Sequence, residues 1–244
     1  YVPAQNVEEV YVQEGSVAHD LGLRTGDRIL EVNGTPFERF DQIAPSAIVA
    51  ADTLTVTVDR DGETTRLVGP SNIITKLSRA QNDDTPRMGA APLPGLDYLP
   101  PLIGRVRKGS PADSLGLQPG DRILAVGQDT VRFWLEMSTL IQKTKGERTP
   151  FQWRRPDSLV SDTTRPADSS LIQRRSEAGL IYEGTVAPQY NEERDRYLLG
   201  VGPLSPEMLQ EKFGVQRVEY GPVEAFGTGL TAVWENTRNI VVTL

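Results

Sequence analysis

The fold class that the sequence predicts is mostly β with short helices (α+β), arranged as two tandem small barrels followed by a C-terminal amphipathic helix. The first observation is an internal repeat: residues 15–34 and 109–128 are identical at twelve of twenty positions, at a constant offset of 94. That period is too long for a solenoid and implies two copies of one domain. The second is a pattern of short apolar runs bounded by Gly-Asp and Asp-Gly turns. The third is composition, since 38% hydrophobic residues over 244 positions suffice for one or two cores.

The repeated segments predict the same elements in each copy. A short strand leads into a helical turn that Ser16 or Ser110 can cap, and a glycine can end that turn in a left-handed conformation. Gly-Asp then starts a second strand, and an amphipathic helix and an alternating strand follow. In the first copy strands are expected at 10–12, 28–32 and 53–58, and the long helix at 38–50. In the second copy strands are expected at 103–106, 122–126 and 149–153, and the long helix at 133–144.

The two copies are expected to differ after the alternating strand. In the first copy Asp61-Gly62 predicts a hairpin turn into a strand at 64–68. In the second a polar segment at about 156–178 is expected to be a mobile insertion, followed by strands at 180–186 and 196–201. The arginines beside and within it, Arg154, Arg155, Arg174 and Arg175, are expected on a charged loop, with contact to lipid headgroups as the alternative.

Domain boundaries follow from these patterns. The first domain is expected at 1–94, the second at 95–205 and a helical tail at 206–244. The linker at 82–101 is rich in Pro and Gly, which predicts irregular backbone. In the tail, apolar residues from Val223 to Leu244 recur every three or four positions, as in an amphipathic helix. Because this pattern is most apolar at its end, the helix either approaches a membrane span or packs on the second domain.

Composition and charge disfavour several kinds of function. The formal net charge is −7, which argues against a nucleic-acid-binding surface. The sequence has no cysteine, so disulfides, thiolate nucleophiles and thiolate metal sites are excluded. A single histidine, His19, cannot form a histidine-rich zinc site and is expected to be solvated. The chain itself is therefore expected to bind no cofactor and to catalyse no reaction.

The repeated core, G-S-x-A-x-x-L-G-L-x-x-G-D-R-I-L-x-V, resembles the PDZ domains of bacterial proteases. The resemblance implies that each domain binds an extended peptide or a free C-terminus as an added strand, with loop N–H groups on the terminal carboxylate. It also implies a circularly permuted order, in which the groove strand comes last in each copy. The candidate carboxylate loops are Met88, Gly89 and Ala90, and Leu199, Gly200 and Val201. The opposite wall is expected at Phe40, Ile43 and Ala47, and at Trp134, Met137 and Ile141, where filling the core is the alternative role.

The tandem order and the tail resemble the site-2 proteases, which are intramembrane zinc metalloproteases of the RseP type. In that family two PDZ domains lie on the periplasmic side of the inner membrane, between the second and third spans. The resemblance implies a region that gates substrates by size exclusion, by binding a C-terminal peptide, or by both. The substrates would be single-span membrane proteins that have already been trimmed, such as anti-sigma factors. The zinc motif H-E-x-x-H is absent from this sequence, so zinc is expected in the membrane domain of the parent.

Two other classes of protein stay open. Periplasmic serine proteases of the HtrA type also carry tandem PDZ domains, and so could a non-enzymatic scaffold. The tail discriminates among these, because a continuation into about 20 apolar residues would indicate a membrane-embedded parent. The expected partners are a peptide of a membrane protein substrate and, through flanking spans, the membrane. The fragment is expected to be monomeric.

Overall fold

The computed structural model describes residues 9–37, 53–73, 75–77, 93–159 and 172–204. Within these ranges the chain is mostly β with short helices, which confirms the predicted fold class. The first copy contains α1 (Val17–Asp20), a four-stranded antiparallel sheet in the order β3-β2-β4-β5, and a separate pair β1-β6. Its strands are β1 (Tyr11–Val12), β2 (Arg28–Val32), β3 (Thr35–Pro36), β4 (Thr55–Arg60), β5 (Glu63–Val68) and β6 (Leu96–Asp97).

The second copy repeats this topology and adds strands. Its main sheet has the order β11-β12-β10-β8-β9, and β7-β15 and β13-β14 form two further antiparallel pairs. The strands are β7 (Ile103–Val106), β8 (Arg122–Val126), β9 (Asp129–Thr130), β10 (Thr149–Arg155), β11 (Ile172–Ser176), β12 (Gly179–Val186), β13 (Gln189–Asn191), β14 (Arg196–Leu198) and β15 (Val201–Pro203). The helices are α2 (Pro111–Ser114) and α3 (Trp134–Lys143), with 3-10 turns at Asp157–Leu159 and Glu192–Arg194.

Each copy packs a core of its own. Along β4, Val56 and Val58 are fully buried and alternate with partly exposed residues. Along β10, Phe151 and Trp153 do the same, so one face of each central strand supplies the core. Burying a side chain of this size stabilises a fold by about 1.5–3 kcal/mol, and the two strands therefore anchor their domains.

An ion pair that the sequence analysis missed recurs in both copies. Arg155 at the end of β10 donates from Nε and Nη2 to the two carboxylate oxygens of Asp121, at 2.8 and 2.7 Å. Its Nη2 also donates to the carbonyl of Gly116 at 2.8 Å. Arg60 holds Asp27 in the same way in the first copy. The expectation that Arg155 lies on a charged loop was wrong, because this pairing lets the side chain be 1% exposed.

The polar segment at about 156–178 is structured at both of its described ends. Asp157–Leu159 forms a 3-10 turn, and β11 pairs antiparallel with β12 through a two-residue turn. The expectation of a mobile loop was therefore wrong for 172–176, where β12 offers a free edge to pair with. Arg174 and Arg175 are exposed on this new edge, and charged side chains there discourage pairing with another chain. Residues 160–171 lie outside the described part of the chain.

The first domain continues past the expected boundary at residue 94. β6 pairs with β1 in the register Tyr11↔Asp97 and Val12↔Leu96. Leu93 and Leu96 are each 4% exposed and belong to the first core, which holds this segment against β1. A strand therefore forms inside the linker that was expected to be irregular.

Two predicted helices fall outside the described residues: the helix at 38–50 and the tail helix at 206–244. Of the helices that are described, none has the length and apolar character to cross a bilayer.

Candidate functional site

A cavity of about 490 Å³ lies in the second domain between α3 and the segment that runs from β14 into β15. The helix contributes Trp134, Met137 and Ile141 to its lining, and the facing segment contributes Leu199, Gly200 and Val201. The structure thus brings together all six residues that the sequence analysis selected in the second copy. The three helix side chains are 1–4% exposed and also belong to the second core. They therefore fill the core, which was the alternative role, and also line the cavity.

The groove wall on α3 is fixed at its N-terminus by two acidic side chains. Glu136 Oε2 accepts from the backbone N–H groups of Arg132 and Phe133 at 2.7 and 3.2 Å. Asp97, the last residue of β6, reaches across from the first domain and accepts from Leu135 N–H at 2.6 Å. These contacts satisfy donors that a helix start would otherwise leave unpaired, and negative charge there is favourable.

The opposite end of α3 is tied to the facing wall by one side chain. Gln142 donates from Nε2 to the carbonyl oxygen of Tyr197 and accepts at Oε1 from Tyr197 N–H, each at 2.8 Å. These two hydrogen bonds resemble those between paired strands, and they join α3 to β14 at this end of the groove. The groove width is therefore set by hydrogen bonds as well as by packing.

The loop between β14 and β15 directs its carbonyl groups away from the groove. Leu199 C=O accepts from Ala112 N–H at 2.9 Å, and Gly200 C=O accepts from Arg107 N–H at 2.8 Å. The described peptide bonds are all trans, so the N–H of each following residue points opposite to these carbonyls. The N–H groups of Gly200 and Val201 therefore face away from α2 and β7, and successive N–H groups of this kind form a site for an anion.

Gly200 is required for this loop conformation. Its φ is +88°, which side-chain-bearing residues rarely adopt. A Cβ at this position would overlap Cβ and Oγ of Ser110, a residue that is 1% exposed. Ser110 thus has two tasks, since it also caps α2 by accepting from Asp113 N–H at 3.3 Å.

The rim of the groove is cationic although the chain as a whole is acidic. Arg105, Arg107, Arg194 and Arg196 line the cavity, whereas Glu193 is the acidic residue among the lining residues. Burial, and to a smaller extent repulsion from the neighbouring Arg194, lowers the pKa of the Arg196 guanidinium. An anionic ligand would relieve that repulsion.

The first copy has an equivalent loop at Pro94-Gly95-Leu96. Pro94 C=O accepts from Ala18 N–H at 3.1 Å and Gly95 C=O accepts from Gln13 N–H at 2.8 Å, which reproduces the pattern at Leu199 and Gly200. Gly95 has φ +84°, and a Cβ there would overlap Ser16. Met88, Gly89 and Ala90, the predicted loop, lie outside the described residues, and so do Phe40, Ile43 and Ala47.

The first loop is the poorer anion site of the two. Leu96, which matches Val201, already donates its N–H to Leu93 C=O at 3.1 Å. Pro94 stands where the second copy has Leu199 and has no N–H group. The second domain therefore presents the more complete set of backbone donors.

The site combines a strand edge, a facing helix, and Gly200 and Val201 N–H groups that have no hydrogen-bond partner among the described residues. Domains that bind the C-terminus of an extended peptide use an arrangement of this kind. The family model of the PDZ domain matches residues 10–60 and 102–155 of this chain. The chain thus contains two PDZ domains, and the last strand of each, β6 and β15, follows the matched segment.

Comparison with curated proteins places the chain beside proteases. Several relatives carry the name "putative zinc metalloprotease". Among them are one from Neisseria meningitidis serogroup A, 25% identical over 232 residues (93% of this chain), and one from Brucella suis, 24% identical over 133 residues (54% of this chain). A Chlamydia trachomatis protein named "probable periplasmic serine endoprotease DegP-like" is 30% identical over 162 residues, or 58% of this chain. The matches cover 45%, 30% and 32% of these relatives, so the chain spans less than half of each.

Proposed function

We propose that this chain is the regulatory tandem PDZ region of an intramembrane zinc metalloprotease, located on the periplasmic side of the inner membrane. The region would admit single-span membrane proteins that another protease has already trimmed, such as anti-sigma factors. It would act as a bulk barrier to intact substrates, and the second groove would bind the C-terminus that the first cut creates.

The observation that carries this proposal is the orientation of the Gly200 and Val201 N–H groups beside an apolar wall on α3. A terminal carboxylate fits such donors, and an apolar last side chain fits a cavity lined by Met137 and Ile141. The relative from Neisseria supports the parent class, because its similarity extends over 93% of this chain. The DegP-like relative matches 58%, which favours the metalloprotease over the serine protease.

Zinc chemistry is proposed for the parent and not for this chain. Among the described residues, no group of three or more His, Cys, Asp or Glu side chains is placed to hold a metal ion. His19, the only histidine of the sequence, is exposed. The described residues therefore do not fit a zinc centre, and the contribution proposed for this chain is selection of the substrate.

The test uses the full-length protein with a variant that fills the groove. Ser138 lies on α3, lines the cavity and is partly exposed. Ser138→Trp should therefore block the groove without disturbing the packing of the buried core. Lys143→Trp adds the same bulk on the same helix at an exposed position outside the cavity lining. The substrates are a single-span membrane protein in its intact form and in a form trimmed to a free C-terminus.

If the groove binds the new C-terminus, Ser138→Trp slows cleavage of the trimmed substrate and Lys143→Trp does not. If the region is a bulk barrier alone, both variants cleave normally, while deletion of the second domain allows cleavage of the intact form. Unchanged cleavage of both substrates after that deletion would refute a gating role.

A further inference from the structure

The second groove also carries a feature that would select the side chain next to the peptide's last residue. We propose that it prefers an acidic residue at the penultimate position of the bound C-terminus, recognised by Arg105 across Gly202. This inference rests on the proposed binding of a C-terminus and specifies which peptides are preferred.

The register of an added strand follows from the geometry of β15. A carboxylate on the Gly200 and Val201 N–H groups places the last peptide residue opposite Val201 and the penultimate residue opposite Gly202. Residues directly opposite each other in a sheet project their side chains to the same face. Gly202 is paired with Arg105 of β7, so the penultimate side chain and Arg105 share one face of the three-stranded arrangement.

Gly202 leaves the space that Arg105 uses. A Cβ on Gly202 would lie 2.6 Å from Arg105 Nε and 2.9 Å from its Cγ, so the arginine side chain extends across this glycine. Neighbouring strands lie about 4.8 Å apart, and the penultimate residue would lie one strand beyond Gly202. An arginine that crosses Gly202 therefore brings its guanidinium next to that residue.

The charge of this face points to an acidic partner. Arg105 is exposed and, among the described residues, has no ion pair. Arg107, two positions along the chain, lines the same cavity and adds positive charge. A carboxylate can pair with an arginine through two parallel hydrogen bonds, whereas a lysine at the same peptide position would be repelled.

Upstream peptide residues contribute less, because β15 ends at a proline. Pro203 has no N–H group, and its pairing with Ile103 is displaced by a register shift. The ladder available to an added strand therefore ends soon after Gly202, and selection is concentrated on the last two peptide residues.

The experiment measures fluorescence polarisation of four labelled peptides on the 244-residue chain at low salt. Three peptides end in Glu-Val, Gln-Val or Lys-Val with a free carboxylate, and the fourth ends in Glu-Val amide. The Glu-Val acid is expected to bind about two- to fivefold more tightly than Gln-Val, the range for an exposed ion pair, and Lys-Val should bind most weakly of the three.

Three variants assign the preference to its residue. Arg105→Gln should bind Glu-Val and Gln-Val equally, and Gly202→Ala should weaken the preference without changing charge because it displaces the Arg105 side chain. Arg66→Gln, an exposed arginine on β5 of the first domain, makes the same charge change and should keep the preference.

Equal binding of Glu-Val and Gln-Val to the unmodified chain would overturn the inference, and so would a preference that survives Arg105→Gln. If the affinity still falls on amidation in those cases, binding of a C-terminus stands without the acidic preference. If none of the free acids binds, both the acidic preference and the binding of a C-terminus are refuted.

Discussion

Replacing Gly200 by alanine adds one atom, Cβ, and so tests the geometry of the candidate carboxylate loop at Leu199, Gly200 and Val201. Gly200 has φ +88°, and its added Cβ would overlap Ser110. Gly109 provides a matched control, because it has φ +72° and a Cβ there would have no atom within 4 Å. Both substitutions place an alanine in a left-handed backbone conformation, and only Gly200→Ala also brings the added Cβ into overlap with Ser110.

The expected magnitudes separate these two effects. A left-handed conformation costs an L-residue about 1–2 kcal/mol, so Gly109→Ala should lower the free energy of unfolding of the second domain by that amount. Two carbon atoms normally rest about 3.5–4.0 Å apart, and Gly200→Ala must move Ser110 or the loop to approach this separation. Such overpacking costs about 1–3 kcal/mol more, which gives a total of about 2–5 kcal/mol.

Urea unfolding followed by tryptophan fluorescence measures the difference, because Trp134 and Trp153 are both buried in the second domain. Peptide binding is measured on the same samples under native conditions. Gly200→Ala should lose at least tenfold in affinity, since the Gly200 and Val201 N–H groups shift, and Gly109→Ala should bind normally. Equal destabilisation by the two substitutions would refute the steric account of this loop.

Two further predictions concern buried charges. Arg155→Met leaves the Asp121 carboxylate buried without its partner and should destabilise the second domain by about 3–5 kcal/mol in urea unfolding. Arg60→Met should destabilise the first domain by less, since the Arg60 side chain is 22% exposed. Equal losses in the free energy of unfolding would contradict this dependence on burial. Burial raises the pKa of the Asp97 carboxyl, so its contribution to stability is present at low pH and is lost as the pH rises through that raised pKa. Asp97→Asn should abolish this part of the pH dependence. If the asparagine NH2 group replaces the oxygen that accepts from Leu135 N–H, the free energy of unfolding should fall by about 1–3 kcal/mol. An unchanged slope of the free energy of unfolding against pH would exclude Asp97 as the source of the pH dependence.

The repeated segments and α3 could be predicted from the sequence because local patterns determine them. β2 and β8 have the predicted bounds, since a Gly-Asp turn precedes each and apolar residues follow it. α3 begins and ends within one residue of the prediction because its apolar residues recur at helical spacing. The loop at Leu199, Gly200 and Val201 was selected for the same reason, by its apolar-Gly-apolar pattern, and its role as a carboxylate site stays a prediction.

The equivalent loop at Gly95 was not selected because it does not keep the offset of the repeat. Gly95 and Gly200 are 105 positions apart, whereas the repeated segments are 94 apart. The connection from β10 to β12 is longer than the turn from β4 to β5, whereas the connection from β12 to Gly200 is shorter than the one from β5 to Gly95. The sum of these two differences produces most of the shift. The signal was present, since Leu93-Pro94-Gly95-Leu96 matches Leu198-Leu199-Gly200-Val201 as an apolar pair followed by glycine and an apolar residue.

The contact between the domains could not be predicted, because it depends on three-dimensional proximity. Asp97 and Leu135 are 38 positions apart and belong to different copies. Tyr11 packs on Phe133, and Arg132 forms an ion pair with Glu9, again across the two copies. None of these residues belongs to a repeated motif, so no pattern in the sequence marks them as partners.

The most direct test of the account is an NMR titration of the chain with a peptide that ends in a free carboxylate. The account predicts that the amide resonances of Gly200 and Val201 shift most, that Gly95 stays in place, and that the amidated peptide produces no such shifts. Shifts centred on Gly95, or equal shifts with the acid and the amide, would contradict the assignment of the second loop as the carboxylate site.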